Sequence, residues 1–203
     1  MFLAVVVLIS ALAVPVFGGR LSALADVRAR LAWVLLLALG LQALSVSVPG
    51  VPESLRPLLL LASYPVAAVF VLANHRMPGM LLIGLGALLN LIAMSANGGV
   101  MPASAAALHR AGLPLHSDTY SNSTLLDEPR LAFLGDVFAI PQPVPLHNVF
   151  SVGDIAIVLG VVVAVHGLSG SRLHPFRPPG RHARRRRYHG RHVRSRRGRH
   201  PAH

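Results

Sequence analysis

Four apolar runs and a fifth at the very start, each close to the length that crosses a bilayer, constrain this chain more than anything else in it. They cover roughly residues 1–17, 31–48, 58–73, 80–96 and 149–168. A helix rises 1.5 Å per residue, so about 20 apolar residues match a hydrocarbon core roughly 30 Å thick. With 53% hydrophobic residues and only 13% charged ones, the chain is too poor in charge to cover the surface of a soluble domain of this size. The pattern predicts an all-α integral membrane bundle of about five transmembrane helices.

The first run, Met1–Phe17, lacks a basic start and a clean small-x-small cleavage site, which favours an uncleaved helix over a secretory signal. In the second, Gln42 is the one strongly polar interior residue and is expected to make an interhelical hydrogen bond. Tyr64-Pro65 predicts a kink in the third, with neighbouring helices satisfying the freed carbonyl. In the fourth, Gly84 and Gly86 permit close helix approach and Asn90 can bond across the bundle.

The long break at 97–148 is expected to form an external cap. Asn97-Gly98-Gly99 reads as a helix stop, because Asn and Gly tolerate the left-handed conformation. Pro102 suits the first turn of a new helix that Gly112 would close. Leu131–Ile140 is apolar but only ten residues long, and is expected to be a re-entrant or capping element. Asn122-Ser123-Thr124 is a glycosylation sequon by pattern alone. At the head of the last run Ser151 is expected to cap the helix, with Asp154 in its first turn, where the helix dipole favours a carboxylate.

Charge sets the expected orientation. All 19 basic residues are arginines, and 12 of them lie from Arg172 onward with no acid among them. Five spans would put 16 arginines on the side of residues 18–30, 74–79 and the tail, against Arg56, Arg110 and Arg130 on the other. The positive-inside tendency then predicts an outer N-terminus, an outer cap and a cytoplasmic C-terminus. Residues 171–203, rich in Arg and His, cannot bury a core and are expected to be a disordered tail. Arg184, Arg185, Arg186 and Arg187 are candidate contacts for anionic lipid headgroups, a reading preferred to nucleic acid because the last span already holds the tail at the surface.

Four short motifs occur in a fixed order: GGRL (Gly18–Leu21), NGGVMP (Asn97–Pro102), LGD (Leu134–Asp136) and SVGD (Ser151–Asp154). Over about residues 1–168 this order resembles a family of small bacterial multi-pass membrane proteins known only as a domain of unknown function. The resemblance implies a location in the bacterial cytoplasmic membrane, and carries no activity, substrate or catalytic residues. The candidate motif residues are Asn97, Gly98, Gly99, Pro102, Gly135, Asp136, Ser151, Gly153 and Asp154, with Gln42 and Asn90 as polar bundle residues.

Known chemistries fit poorly. Asp136 and Asp154 each follow a glycine, as in intramembrane aspartyl proteases, but Ser151 stands where that pattern needs a glycine; capping is the simpler role. Gly167-Leu168-Ser169-Gly170 matches the rhomboid GxSG pattern, yet no later span could bring a histidine, so it reads as a flexible helix end. His109, His116 and His147 could join Asp136 around a metal on the outer side, without any standard ligand spacing. Cysteine is absent, and no cofactor pattern is present. The sequence therefore favours a non-enzymatic scaffold or partner-binding module, self-associated or joined to another membrane protein. A channel or transporter component is the alternative, and an enzyme using Asp136 and Asp154 the third reading.

Overall fold

A computed structural model describes residues 2–115 and 123–173. The apolar runs become α1 (Phe2–Ala13), α3 (Ala32–Ser47), α4 (Arg56–Ala73), α5 (Met80–Ala96) and α7 (Val152–Leu168). Two short helices, α2 (Ser22–Ala25) and α6 (Ala105–Ala111), lie in the connections. One helix, α4, is long and apolar enough to cross a membrane; α3, α5 and α7 are apolar but shorter.

The five apolar helices form a row in which α3 packs on α4, α4 on α5, α5 on α7, and α7 on α1. Polar clasps fix the two ends of the row. At one end Asn74 Oδ1 accepts the amide of Arg30 and Asn74 Nδ2 donates to Arg30 O, both at 2.8 Å, joining the start of α3 to the end of α4. The same end holds Phe17 edge-on against His166, and Arg172 N donates to Phe17 O. At the other end Ser45 Oγ donates to Arg56 O while Arg56 Nη1 donates to Ser45 O, both at 2.7 Å. A guanidinium at the C-terminus of α3 also meets the negative end of that helix dipole. The helices alternate in direction from α3 to α7, and α1 runs parallel to α7.

The closest seam is α5 on α7. Gly86 lies against Gly153 O and Ile157 N, and Gly160 against Gly79 O and Ile83 N. A Cβ at any of these positions would strike backbone, so the seven-residue glycine spacing on both helices lets the two backbones touch. Gly84 faces the other way, toward Val71 of α4. Inside α4, Pro65 has no amide to donate, and Ser63 Oγ donates to the nearby Leu60 O at 2.6 Å.

The segment between α5 and α7 is folded, and it is not all helix. β1 (Met101–Pro102) pairs in parallel with β2 (Ser123–Thr124), and β3 (Phe138–Ile140) pairs antiparallel with β4 (Asn148–Phe150). The expected all-α class is corrected to mostly helical with two small strand pairs. Pro102 is not in the first turn of a helix: it sits in β1, and α6 starts at Ala105 because Ser104 Oγ accepts the Ala107 amide at 3.1 Å. Gly112 does end α6, at φ +64°. Leu131–Ile140 becomes a 3-10 turn at Ala132–Leu134 followed by β3. Residues 149 and 150, expected at the head of the last run, belong to β4.

The cap has its own core of Ala103, Ala107, Leu108, Ala111 and Val149. A second cluster, Leu60, Ala93, Met94 and Met101, seats it on α4 and α5. A third, Val34, Phe70 and Met80, fills the opposite end of the helix row.

Candidate functional site

The hinge between cap and helices is built from the NGG and SVGD motifs. α5 stops where Gly98 and Gly99 take φ +69° and +90°. Asn97 then ties that end to the cap: Nδ2 donates to Ala93 O at 2.7 Å and to Arg130 O at 2.8 Å, while Oδ1 accepts the Arg130 amide at 2.8 Å. Gly135 lies directly on Pro102 O, where a Cβ would clash with backbone. That approach lets the Asp136 amide donate to Pro102 O at 2.8 Å and bridges Ala103 to Asp136.

Ser151 and Asp154 form a reciprocal capping box on α7. The Asp154 amide donates to Ser151 Oγ at 3.0 Å, and the Ser151 amide donates to Asp154 Oδ2 at 2.9 Å. Asn90 of α5 closes the ring: its Nδ2 donates to Asp154 Oδ1 at 2.9 Å and its Oδ1 accepts from Ser151 Oγ at 2.9 Å. Asn90 is 5% exposed and Ser151 0%, while Asp154 is half-buried. Gly153 is what lets Asn90 approach, since a side chain there would strike the Asn90 amide.

Asp136 is 3% exposed, and among the described residues one side-chain hydrogen bond reaches it, from Ser123 Oγ to Oδ2 at 2.6 Å. Burial raises its pKa from 3.8 to about 6; the Ser123 bond lowers it, and the charge of Asp154 pushes it up again. Asp136 lines a cavity of about 440 Å³ between the cap and the cap-side halves of α3, α4, α5 and α7. Gln42, Tyr64, Asn90, Ser123, Asp136 and Asp154 bring polar groups to this chamber, and Leu60, Met94, Phe150 and Ile157 give it apolar walls. No basic side chain lines it among the described residues.

Four residues singled out in the sequence, Gln42, Asn90, Asp136 and Asp154, thus meet around one cavity. Gln42 makes no hydrogen bond among the described residues, against the interhelical bond expected of it, and instead lines the chamber. Asn97, Gly98, Gly99, Pro102, Gly135, Ser151 and Gly153 serve the architecture around it. Two contributors escaped the sequence reading. Tyr64 looked only like a kink marker and Ser123 only like part of a sequon; neither carries a local signal of its long-range partners.

The other candidates scatter. Ser169 is not a flexible end but 3% exposed, with its Oγ on His166 O at 3.2 Å. His166 Nδ1 pairs with Ser171 Oγ at 3.0 Å. No three metal-ligating side chains converge among the described residues, and His116 lies outside them. Arg184–Arg187 and the rest of the tail from residue 174 also lie outside the described residues, as does Asn122 of the sequon.

Fold and site together define a mostly helical, strongly apolar protein with a polar, acidic chamber closed by a small mixed cap. The chain belongs to a family of unknown function, DUF5317, whose model matches residues 26–166. An uncharacterized protein of Thermotoga maritima is 31% identical over 101 residues, covering 50% of this chain. The chain matches 58% of that relative's length. No solved structure matches it.

Proposed function

We propose that this is a five-span membrane protein that works as a binding module, taking a small ammonium group into the acidic chamber. The observation that carries the reading is the chamber itself: two carboxylates share it without a basic residue among its described lining. An ammonium ion matches that charge, and the Tyr64 ring in the wall suits it further, since cations are attracted to aromatic rings. The volume also exceeds what a bare metal ion needs, and the walls are partly apolar.

Surface chemistry supports the membrane setting. Trp33, Leu36, Leu72 and Leu81 are 64 to 69% exposed on α3, α4 and α5, and only 17% of α4 is buried. Apolar belts of this kind call for lipid around them. Helix alternation, combined with the arginine distribution, supports an outer N-terminus and cap and a cytoplasmic C-terminus in a bacterial membrane, and the charge of the tail arginines suits anionic headgroups.

Binding is favoured over passage because the chamber is blind toward the inner end. Its lining stops near Ala67, Ala87 and Val158, and the Val34, Phe70 and Met80 cluster and the Gly79–Gly160 contact fill the bundle below. A second reading, docking of a partner membrane protein, is favoured by Phe133, which stands 67% exposed on the cap. Photo-crosslinking from position 133 in native membranes gives a discrete protein adduct under that reading and only lipid adducts without it.

The test of the chamber is calorimetric titration of the full chain in nanodiscs with butylammonium, against neutral butanol. Binding of the cation alone is expected, weakening about tenfold in Asp136→Asn and falling as pH drops through about 6. Equal heats for cation and alcohol, or none for either, would defeat the reading.

A further inference from the structure

A second cavity, about 400 Å³ and almost wholly apolar, lies in the furrow between α4 and α5. Ala68, Val71 and Leu72 line it from α4, and Leu81, Leu85 and Leu88 from α5. Gly84, in the same furrow, keeps it open where a larger side chain would meet Val71. The furrow runs along α4 from Tyr64 to Leu72, roughly 12 Å at the helical rise.

Three residues, Tyr64, Ala67 and Ala87, line both this furrow and the acidic chamber. Two of them are alanines, so the partition between the cavities is thin, and the Tyr64 ring is its one large part. The Tyr64 hydroxyl reaches Met94 Sδ at 3.5 Å, which places that ring at the boundary. An acidic, polar cavity and an apolar one therefore adjoin across this wall.

We propose that chamber and furrow together hold a single-chain amphiphile, its ammonium head beside Asp136 and its alkyl tail along the α4–α5 furrow. The inference rests on the ammonium-binding reading of the chamber and adds the tail. Charge selects the head: the chamber's described lining offers carboxylates, amides and hydroxyls but no cation to receive an acidic headgroup. Chain chemistry selects the tail, because a furrow of alanine, valine and leucine has nothing to offer a polar extension. Direction agrees as well. With the cap outside, head and tail would lie in the same sense as an outer-leaflet lipid, head toward the surface and tail toward the bilayer centre.

The experiment uses the full chain in phosphatidylcholine nanodiscs with a diazirine-bearing dodecylammonium, the matching dodecanoate, and butylammonium as a short competitor. Labelled peptides are mapped by mass spectrometry in wild type, Ala68→Trp and Asp136→Asn. Ala68 is exposed, so the larger ring fills the furrow without entering a packed core. Expected are dodecylammonium adducts within residues 64–72 and 81–91, lost in Ala68→Trp and reduced about tenfold in Asp136→Asn. If Ala68→Trp leaves dodecylammonium affinity unchanged and equal to that of butylammonium, the tail site is wrong while the chamber reading survives. Equal labelling by dodecanoate would show apolar partitioning without head recognition and overturn the inference. Binding of neither amine would remove both proposals.

Discussion

At the scale of single residues, Asp136 and Asn90 show opposite ways of placing a polar group out of water. Asp136 is underserved: one hydroxyl reaches its carboxylate, and burial holds its pKa near 6 instead of 3.8. The folded state therefore binds a proton more tightly than the unfolded chain. Stability from this group is full below about pH 4, declines as pH rises through about 6, and is gone above. Asp136→Asn should flatten that window and raise stability at neutral pH by on the order of 2 kcal/mol, less whatever the Ser123 bond contributes. Denaturation of wild type and variant in detergent, compared across this pH range, reads the difference directly. Asn90 is served on both atoms of its amide, and its loss takes a donor from Asp154 Oδ1. Asn90→Ala should cost about 1–2 kcal/mol by leaving Asp154 Oδ1 short of a donor in a half-buried site, since Ser151 Oγ keeps Asp154 Oδ2 as its acceptor. Thermal unfolding that matches wild type would show that the ring of bonds contributes nothing.

At the scale of elements, the α5–α7 seam and the α3 surface give glycine opposite meanings. Gly153 sits under Asn90 and Gly86 O, while Gly40 on α3 has nothing within 4 Å of where a Cβ would stand. Gly153→Ala must push two helix backbones apart and is expected to destabilise by roughly 1–3 kcal/mol. Gly40→Ala meets open space and should be neutral or stabilising by up to about 1 kcal/mol, through lower backbone entropy in the unfolded chain. Paired melting curves of the two variants check the contrast. If both behave alike, backbone contact is not what holds the seam. The same element-level logic explains the cap. Its strands are two or three residues long, and their pairing partners lie up to 22 residues away in sequence (Met101 with Ser123), so no alternating pattern of useful length exists to announce them.

At the scale of the whole molecule, the alternating helices sort the arginines of the described residues. Arg20, Arg28, Arg30, Arg76 and Arg172 fall at the end joined by Asn74 and His166; Arg56, Arg110 and Arg130 fall at the cap end. The absence of native cysteine makes the orientation easy to test. In intact cells a cysteine placed at exposed His147, in the cap, should react with an impermeant maleimide, and one at exposed His75 should react only after permeabilisation. The reverse pattern would turn the molecule over and put the acidic chamber on the cytoplasmic side.

Apolar run length and stop signals were enough to locate the five long helices. Met80–Ala96 ends where Asn97-Gly98-Gly99 says it should, because left-handed φ is a local demand that only a few residues meet. Ser151 and Asp154 were equally legible, since a capping box involves neighbours three residues apart. Tertiary structure alone decided that Gln42, Asn90, Asp136 and Asp154 face one chamber, that Tyr64 divides it from a furrow, and that Ser123 supports Asp136. Those contacts join residues from 13 to 64 positions apart. A linear pattern records what a segment prefers by itself; which segments then share a cavity depends on how glycine-lined helices close on one another.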